Sequence, residues 1–143
     1  MISKSCQYGI RAVVYLAAYS NSSQRLNVKQ IAAEIGAPEA FTAKLLQQLN
    51  KANVVTSLKG PYGGFYLTEA QTKNSLLDVV AEIDGLDVFY GCGLGLQQCS
   101  ELNPCPMHEH YKELRTRMLE TFKKTAIHSL AANLHSGTVL KLF

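Results

Sequence analysis

NVKQIAAEIGAPEAFTAKLLQQL, residues 27–49, holds two short helical patterns separated by a Gly-Ala-Pro turn. In the first, Val28, Ile31, Ala32 and Ile35 recur at three- and four-residue spacing, Asn27 offers an N-cap and Gly36 a stop. In the second, Pro38 suits the first turn of a helix, where its missing N–H costs nothing, and Phe41, Leu45, Leu46 and Leu49 supply a buried stripe. Two such helices around a tight turn predict a helix-turn-helix, which lays its second helix in the major groove of double-stranded DNA. The outward residues of that helix are then Glu39, Thr42, Lys44, Gln47 and Gln48.

Downstream, Asn53–Leu58 and Phe65–Leu67 read as short strands rich in β-branched and aromatic residues. Between them, Lys59-Gly60-Pro61-Tyr62-Gly63-Gly64 demands a turn, so the pair is predicted to form a hairpin placed as a wing. Upstream, residues 3–20 form a helix with Cys6, Ile10, Val13, Val14, Ala17 and Ala18 on one face, stopped by the polar run 20–24. Residues 75–84 read as another helix, capped by Asn74 or Ser75 and stopped at Gly85. From about 106 to 134 the periodicity predicts one long helix whose narrow stripe, Tyr111, Leu114, Met118, Phe122, Ala126 and Ile127, needs a partner; a symmetric twin supplies one and suits palindromic half-sites. The expected architecture is mainly α with a small β-hairpin: a winged helix-turn-helix over 1–85, a cysteine loop over 86–105, a dimerisation helix over 106–135 and a tail, 136–143, without a clear pattern.

A chain of 143 residues is about one domain's worth, and 47% hydrophobic with 17% charged residues is ordinary for a globular fold. No uncharged apolar run approaches a membrane span and no secretory segment opens the chain, which predicts a cytoplasmic protein with no membrane partner. Of the net charge of +3, residues 1–70 hold seven Lys or Arg against three acids, and residues 71–143 hold seven against eight. The excess lies with the helix-turn-helix, where phosphate would be met. No nucleophile–base set, phosphate-cradling loop or catalytic carboxylate pair is present, so an enzyme is not expected.

The chemically loaded segment is Cys92-x6-Cys99-x5-Cys105, set among Gly91, Gly93, Gly95, Asn103, Pro104 and Pro106. Glycines let backbone wrap a ligand closely, and thiolates are the preferred ligands of iron in clusters. His108, two residues intervening after Cys105, offers an imidazole that can replace a thiolate at a cluster iron. Three other readings stand beside this one. Zinc accepts three cysteines and a histidine, although its structural sites favour shorter gaps. A metal-free thiol switch would join two of the cysteines. Inert buried thiols are the third reading, the one that best suits Cys6 on its apolar stripe.

The run Val55-Thr56-Ser57-Leu58-Lys59-Gly60-Pro61-Tyr62-Gly63-Gly64-Phe65-Tyr66-Leu67, with the opening Ser3–Ala12 and the late cysteine triplet, resembles the bacterial winged-helix redox and iron-sulfur repressors that include IscR, NsrR, RirA and CymR. The resemblance covers roughly residues 1–130 and is strongest to the cluster-binding, IscR-like members. It implies a homodimeric repressor touching DNA through Lys29, through Glu39, Thr42, Lys44 and Gln48, and through Lys59 and Tyr62 of the wing. Lys59 stands where an Arg is usual, so a point charge replaces a bidentate fork. Ala43 stands where IscR-like members carry a site-selecting Glu, and Gln7 where NsrR-like members carry an acidic ligand. The resemblance further implies a cluster on Cys92, Cys99, Cys105 and His108, 2Fe-2S favoured and 4Fe-4S the alternative, with His110 and Cys6 as alternative fourth ligands. An electron carrier built on the same cluster would leave the helix-turn-helix and wing unexplained; a winged helix that binds protein without DNA affinity is a further reading, which a promoter-binding assay at several salt concentrations separates from DNA binding.

Overall fold

The computed structural model describes residues 1–137 and Val139. Helix α1 (Lys4–Tyr19) starts where the Ser3 hydroxyl accepts the Cys6 N–H at 3.0 Å. Ser3 is itself fixed by Asp84, whose carboxylate accepts the Ser3 N–H at 2.7 Å and also its hydroxyl. Helix α2 (Val28–Ile35) opens on a reciprocal capping box, in which Asn27 accepts from the Gln30 N–H at 2.8 Å and Gln30 accepts from the Asn27 N–H at 2.9 Å. Gly36 closes it, and α3 (Glu39–Lys51) follows at once. The turn between them is the one the sequence predicts.

Leu45, Leu46 and Leu49 of α3 join Ile31 and Ile35 of α2 and Ala12, Val13 and Leu16 of α1 in the main core. Burying a leucine or isoleucine side chain is worth about 1.5–3 kcal/mol, so these stripes hold the three helices together.

The hairpin is shorter than expected. Asn53, at φ +61°, turns the chain out of α3, and the Val54 N–H still bonds the Leu49 carbonyl at 2.9 Å, so Asn53–Val55 serves as the helix exit. Strand β1 (Thr56–Leu58) then pairs antiparallel with β2 (Gly64–Tyr66), with Ser57 opposite Phe65. Leu26 adds a bridge to Phe65 through bonds of 3.0 and 2.8 Å. At Gly64, φ is +151° and a Cβ would lie 2.7 Å from the Leu26 carbonyl oxygen, so glycine lets the wing lie against the start of α2. Helix α4 (Glu69–Thr72), which sequence periodicity does not reveal because it is one turn long, follows under a Thr68–Gln71 capping box.

Helix α5 (Leu76–Ile83) starts at Ser75 and lies against α1, and α6 (Asp87–Tyr90) leads into the cysteine loop. The long helix expected over 106–134 is two: α7 (His108–Lys124) and α8 (Ile127–His135). Thr125 and Ala126 are extended because residues 74–76 capture them: the Leu76 N–H donates to the Thr125 carbonyl and the Ile127 N–H to the Asn74 carbonyl, each at 2.9 Å. Helix α8 folds back on α1, with Ile127 fully buried in the main core. The stripe read as waiting for a twin is thus partly covered by its own chain. Met118 and Phe122, with Leu119, pack on a second cluster built from Cys6, Val80 and Phe89, while Leu114 is 61% exposed. Of the 136–143 tail, Thr138 and residues 140–143 lie outside the described residues.

Candidate nucleic-acid interface and cysteine centre

Lys29 on α2, Glu39, Lys44, Gln47 and Gln48 on α3, and Lys59 and Tyr62 on the wing are all exposed. Thr42 is not: its side chain is fully buried and its hydroxyl donates to the Pro38 carbonyl at 2.8 Å. The outward reading of Thr42 is therefore corrected. One turn into α3, its position faces the core, and its hydroxyl is satisfied by the turn before it. Gln48, though exposed, donates to the Glu82 carbonyl of α5 at 3.1 Å.

A groove of about 640 Å³ runs between the start of α2, the end of α3 and the wing, lined by Asn27, Gln47, Asn50, Lys51, Ser57 and Lys59 among others. Lys51 and Asn50 escaped the sequence reading because they sit at the helix end; only the hairpin's return beside them makes them part of a groove. The wing tip is fastened by Arg25, whose Nε donates to the Tyr62 carbonyl at 3.0 Å. That leaves the Tyr62 ring 85% exposed.

The cysteine loop gathers its thiols. The sulfurs of Cys92, Cys99 and Cys105 all lie within 4.8 Å of one another, with Cys92 and Cys105 at 3.6 Å. Backbone N–H groups of Leu94 and Cys105 point at the Cys92 and Cys99 sulfurs, each at 3.4 Å. The N–H groups of Leu96 and Leu94 are the main cause that brings the Cys92 thiol down to about 7. Cys99 moves upward: the Cys105 N–H pulls it down most, but desolvation and the neighbouring Cys105 and Cys92 thiols outweigh it. The Cys92 thiol is therefore more readily ionised than that of Cys99, and these sulfurs are soft donors suited to a soft metal.

Two residues of α7 hold the loop. A Cβ on Gly93 would lie 2.5 Å from the Tyr111 ring, so the loop rests directly on that ring, and Arg115 donates to the Gly91 carbonyl at 2.5 Å. Neither role is visible in the sequence, where Tyr111 reads only as part of an apolar stripe. His108 begins α7 and is 6% exposed, with Nδ1 at 3.3 Å from Cys99 Sγ. Glu101 lies beside it and is held below the usual carboxylate range by Lys112 first and His108 after. His110 is exposed. Cys6 is remote in character: fully buried, its thiol is pushed up to about 12 by burial and then by Asp84.

Residues 2–133 match the Rrf2 family, described as "Iron-dependent Transcriptional regulator". A protein of Aquifex aeolicus named "Putative HTH-type transcriptional regulator" is 33% identical over 132 residues, covering 91% of this chain and 90% of the relative. The HTH-type transcriptional repressor NsrR of Streptomyces coelicolor is 26% identical over 106 residues, covering 74% and 67%. The solved structure of CymR, the global cysteine regulator of B. subtilis, superposes with a TM-score of 0.73 at 21% identity, covering 93% of this chain and 97% of that one. Among the described residues no helix is long and apolar enough to cross a membrane. Matched over nearly its whole length, and carrying the winged helix-turn-helix in its own fold, this chain belongs to the Rrf2 family and is a transcriptional regulator.

Proposed function

We propose that the protein is a homodimeric repressor of a palindromic operator whose DNA affinity is set by an iron-sulfur cluster on Cys92, Cys99, Cys105 and His108. The observation that carries this reading is the convergence of three sulfurs in one short loop, with a buried imidazole against one of them. The donor chemistry fits: three thiols, one already acidic, backbone N–H groups aimed at sulfur, and a ring nitrogen. A 2Fe-2S cluster is the favoured form and 4Fe-4S the alternative. When bound, such a cluster supplies reversible electron uptake and a lability that oxidants exploit.

The chain's own residues do the rest. Lys29, Glu39, Lys44 and Gln48 approach the major groove, while Lys59 and Tyr62 approach the flanking backbone. The name of the Streptomyces relative supports repression. Holding the three cysteines together orders the loop over Tyr111 and Arg115 of α7; α7 packs on α5, and α5 receives Gln48 of α3 at Glu82. Loop order thus reaches the recognition helix through packed elements, and a coupling of about 1–3 kcal/mol between the sites changes DNA affinity about 5- to 150-fold. A second copy would cover Leu114 and the other exposed apolar side chains near the loop, such as Tyr90 and Met107.

The test is anaerobic purification with visible absorption, iron, acid-labile sulfide and zinc content, followed by binding to the protein's own promoter across a salt series. Coloured protein with iron and sulfide, a steep salt dependence and a cluster-dependent affinity are expected. Colourless protein after reconstitution sinks the cluster reading. The 3.6 Å approach of Cys92 and Cys105 favours a second one. There the two thiols join through one S–S bond, passing two protons and two electrons to an oxidant, and a metal-free protein would change DNA affinity reversibly with dithiothreitol.

A further inference from the structure

The two ring nitrogens of His108 face different neighbours. Nδ1 stands 3.3 Å from Cys99 Sγ, while Nε2 is buried and has no hydrogen-bond partner among the described residues. A carboxylate lies within ion-pair reach of it: Glu101 Oε1, at 3.5 Å. That same oxygen receives Lys112 Nζ at 2.5 Å, so the carboxylate is tethered to α7, one turn beyond His108. Glu101 comes from the loop between Cys99 and Cys105, and the pair therefore closes the loop back onto the helix that carries the imidazole.

A cation on Glu101, Glu109 and Nε2 would have to displace the Lys112 ammonium from the oxygen it needs. A histidine that gives one nitrogen to a metal normally gives its other N–H to a carboxylate, which fixes tautomer and ring orientation. We infer that Glu101, tethered by Lys112, is a positioning residue for His108: its carboxylate serves as the hydrogen-bond acceptor for Nε2–H, keeping the proton on Nε2 and presenting Nδ1 to the cysteine sulfurs, so that His108 completes the donor set. This rests on the cluster reading above. It also separates His108 from His110, which is exposed and has no such carboxylate within ion-pair reach among the described residues.

The test uses the full-length protein loaded with cluster under anaerobic conditions, as wild type and as His108→Ala, Glu101→Ala, Glu101→Gln and Lys112→Met. Iron and sulfide are counted, imidazole nitrogen coupling to the reduced cluster is read by pulsed EPR, and cluster loss to excess chelator is timed. Wild type should show a nitrogen coupling that His108→Ala abolishes. Glu101→Ala should alter that coupling and speed cluster loss by about 10- to 100-fold, the usual effect of removing an outer carboxylate. Glu101→Gln, whose amide oxygen still accepts, should stay near wild type, and Lys112→Met should fall between. A Glu101→Ala protein with wild-type coupling and loss rate overturns the inference. So does a wild-type cluster without imidazole coupling, which leaves a cluster on the three cysteines standing but removes His108 from its ligands; protein without iron and sulfide overturns both.

Discussion

The buried side-chain amide of Gln71 donates to the backbone carbonyl of Asn53 at 3.0 Å, tying α4 to the residue whose positive φ turns the chain from α3 toward the wing. The same side chain accepts from the Thr56 hydroxyl at 2.8 Å and the Thr68 N–H at 2.9 Å. Gln71→Leu leaves these buried groups unpaired, at about 1–3 kcal/mol for an orphaned group. A fall of roughly that size in unfolding free energy is expected from urea titration, with the m-value unchanged. Asn53→Val should also destabilise, because a β-branched residue resists that backbone conformation, whereas Asn53→Gly should be nearly neutral.

Gly64→Ala places a methyl against the Leu26 backbone where the wing bridges to the start of α2. The wing must shift away, so promoter affinity should fall together with thermal stability. Unchanged affinity in a binding titration would show that the wing's seat on Leu26 is dispensable.

Lys59 is an exposed cation in the groove between α3 and the wing. Lys59→Ala should weaken promoter binding across sequences and lower the salt slope, log K against log salt, by about 1. Lys59→Arg should restore the slope, and its planar fork should tighten binding. A Lys59→Ala protein with the wild-type slope excludes a phosphate contact there.

Gly93→Ala drives a Cβ into the Tyr111 ring and lifts the cysteine loop from α7. Iron retained per chain after reconstitution should drop while far-UV circular dichroism stays the same. Full iron loading in this variant would contradict the claim that the loop must lie on Tyr111 to gather its sulfurs.

The thiols should separate by pH. In reduced, metal-free protein Cys92 should alkylate with a half-maximal rate near pH 7, where its thiolate forms, while Cys6 stays unreactive at pH 8 until the protein unfolds. For Cys6 the folded value, about 12, lies above the unfolded one, so the folded state holds a proton the unfolded state would release. Its contribution to stability is complete below the ordinary thiol range and is lost as pH rises through about 9 toward 12. Cys6→Ala should flatten this alkaline decline; peptide mapping of labelled thiols and unfolding curves from pH 7 to 11 check both statements.

The sequence by itself determined what is local. Asn27 with Gln30, Ser75 before Leu76 and the Gly36-Ala37-Pro38 turn set helix ends through contacts within a few residues, and the Gly-rich run at 60–64 could only be a turn. The three cysteines, spaced through a glycine-rich loop, stood out as one donor group, and the fold brings their sulfurs together. Only the tertiary structure decided Thr42, which is fully buried, because helical periodicity leaves a residue at the edge of a stripe free to face either way until the rest of the fold packs over it. The break at Thr125 was beyond local reading too: nothing in its own residues forbids a helix, and it arises from hydrogen bonds to residues 74–76, about fifty positions away. Glu101 and Lys112 belong to the same class, a loop acid and a helix cation that look like solvated charges until the chain closes on His108. Such partnerships depend on three-dimensional proximity, which one-dimensional spacing does not encode.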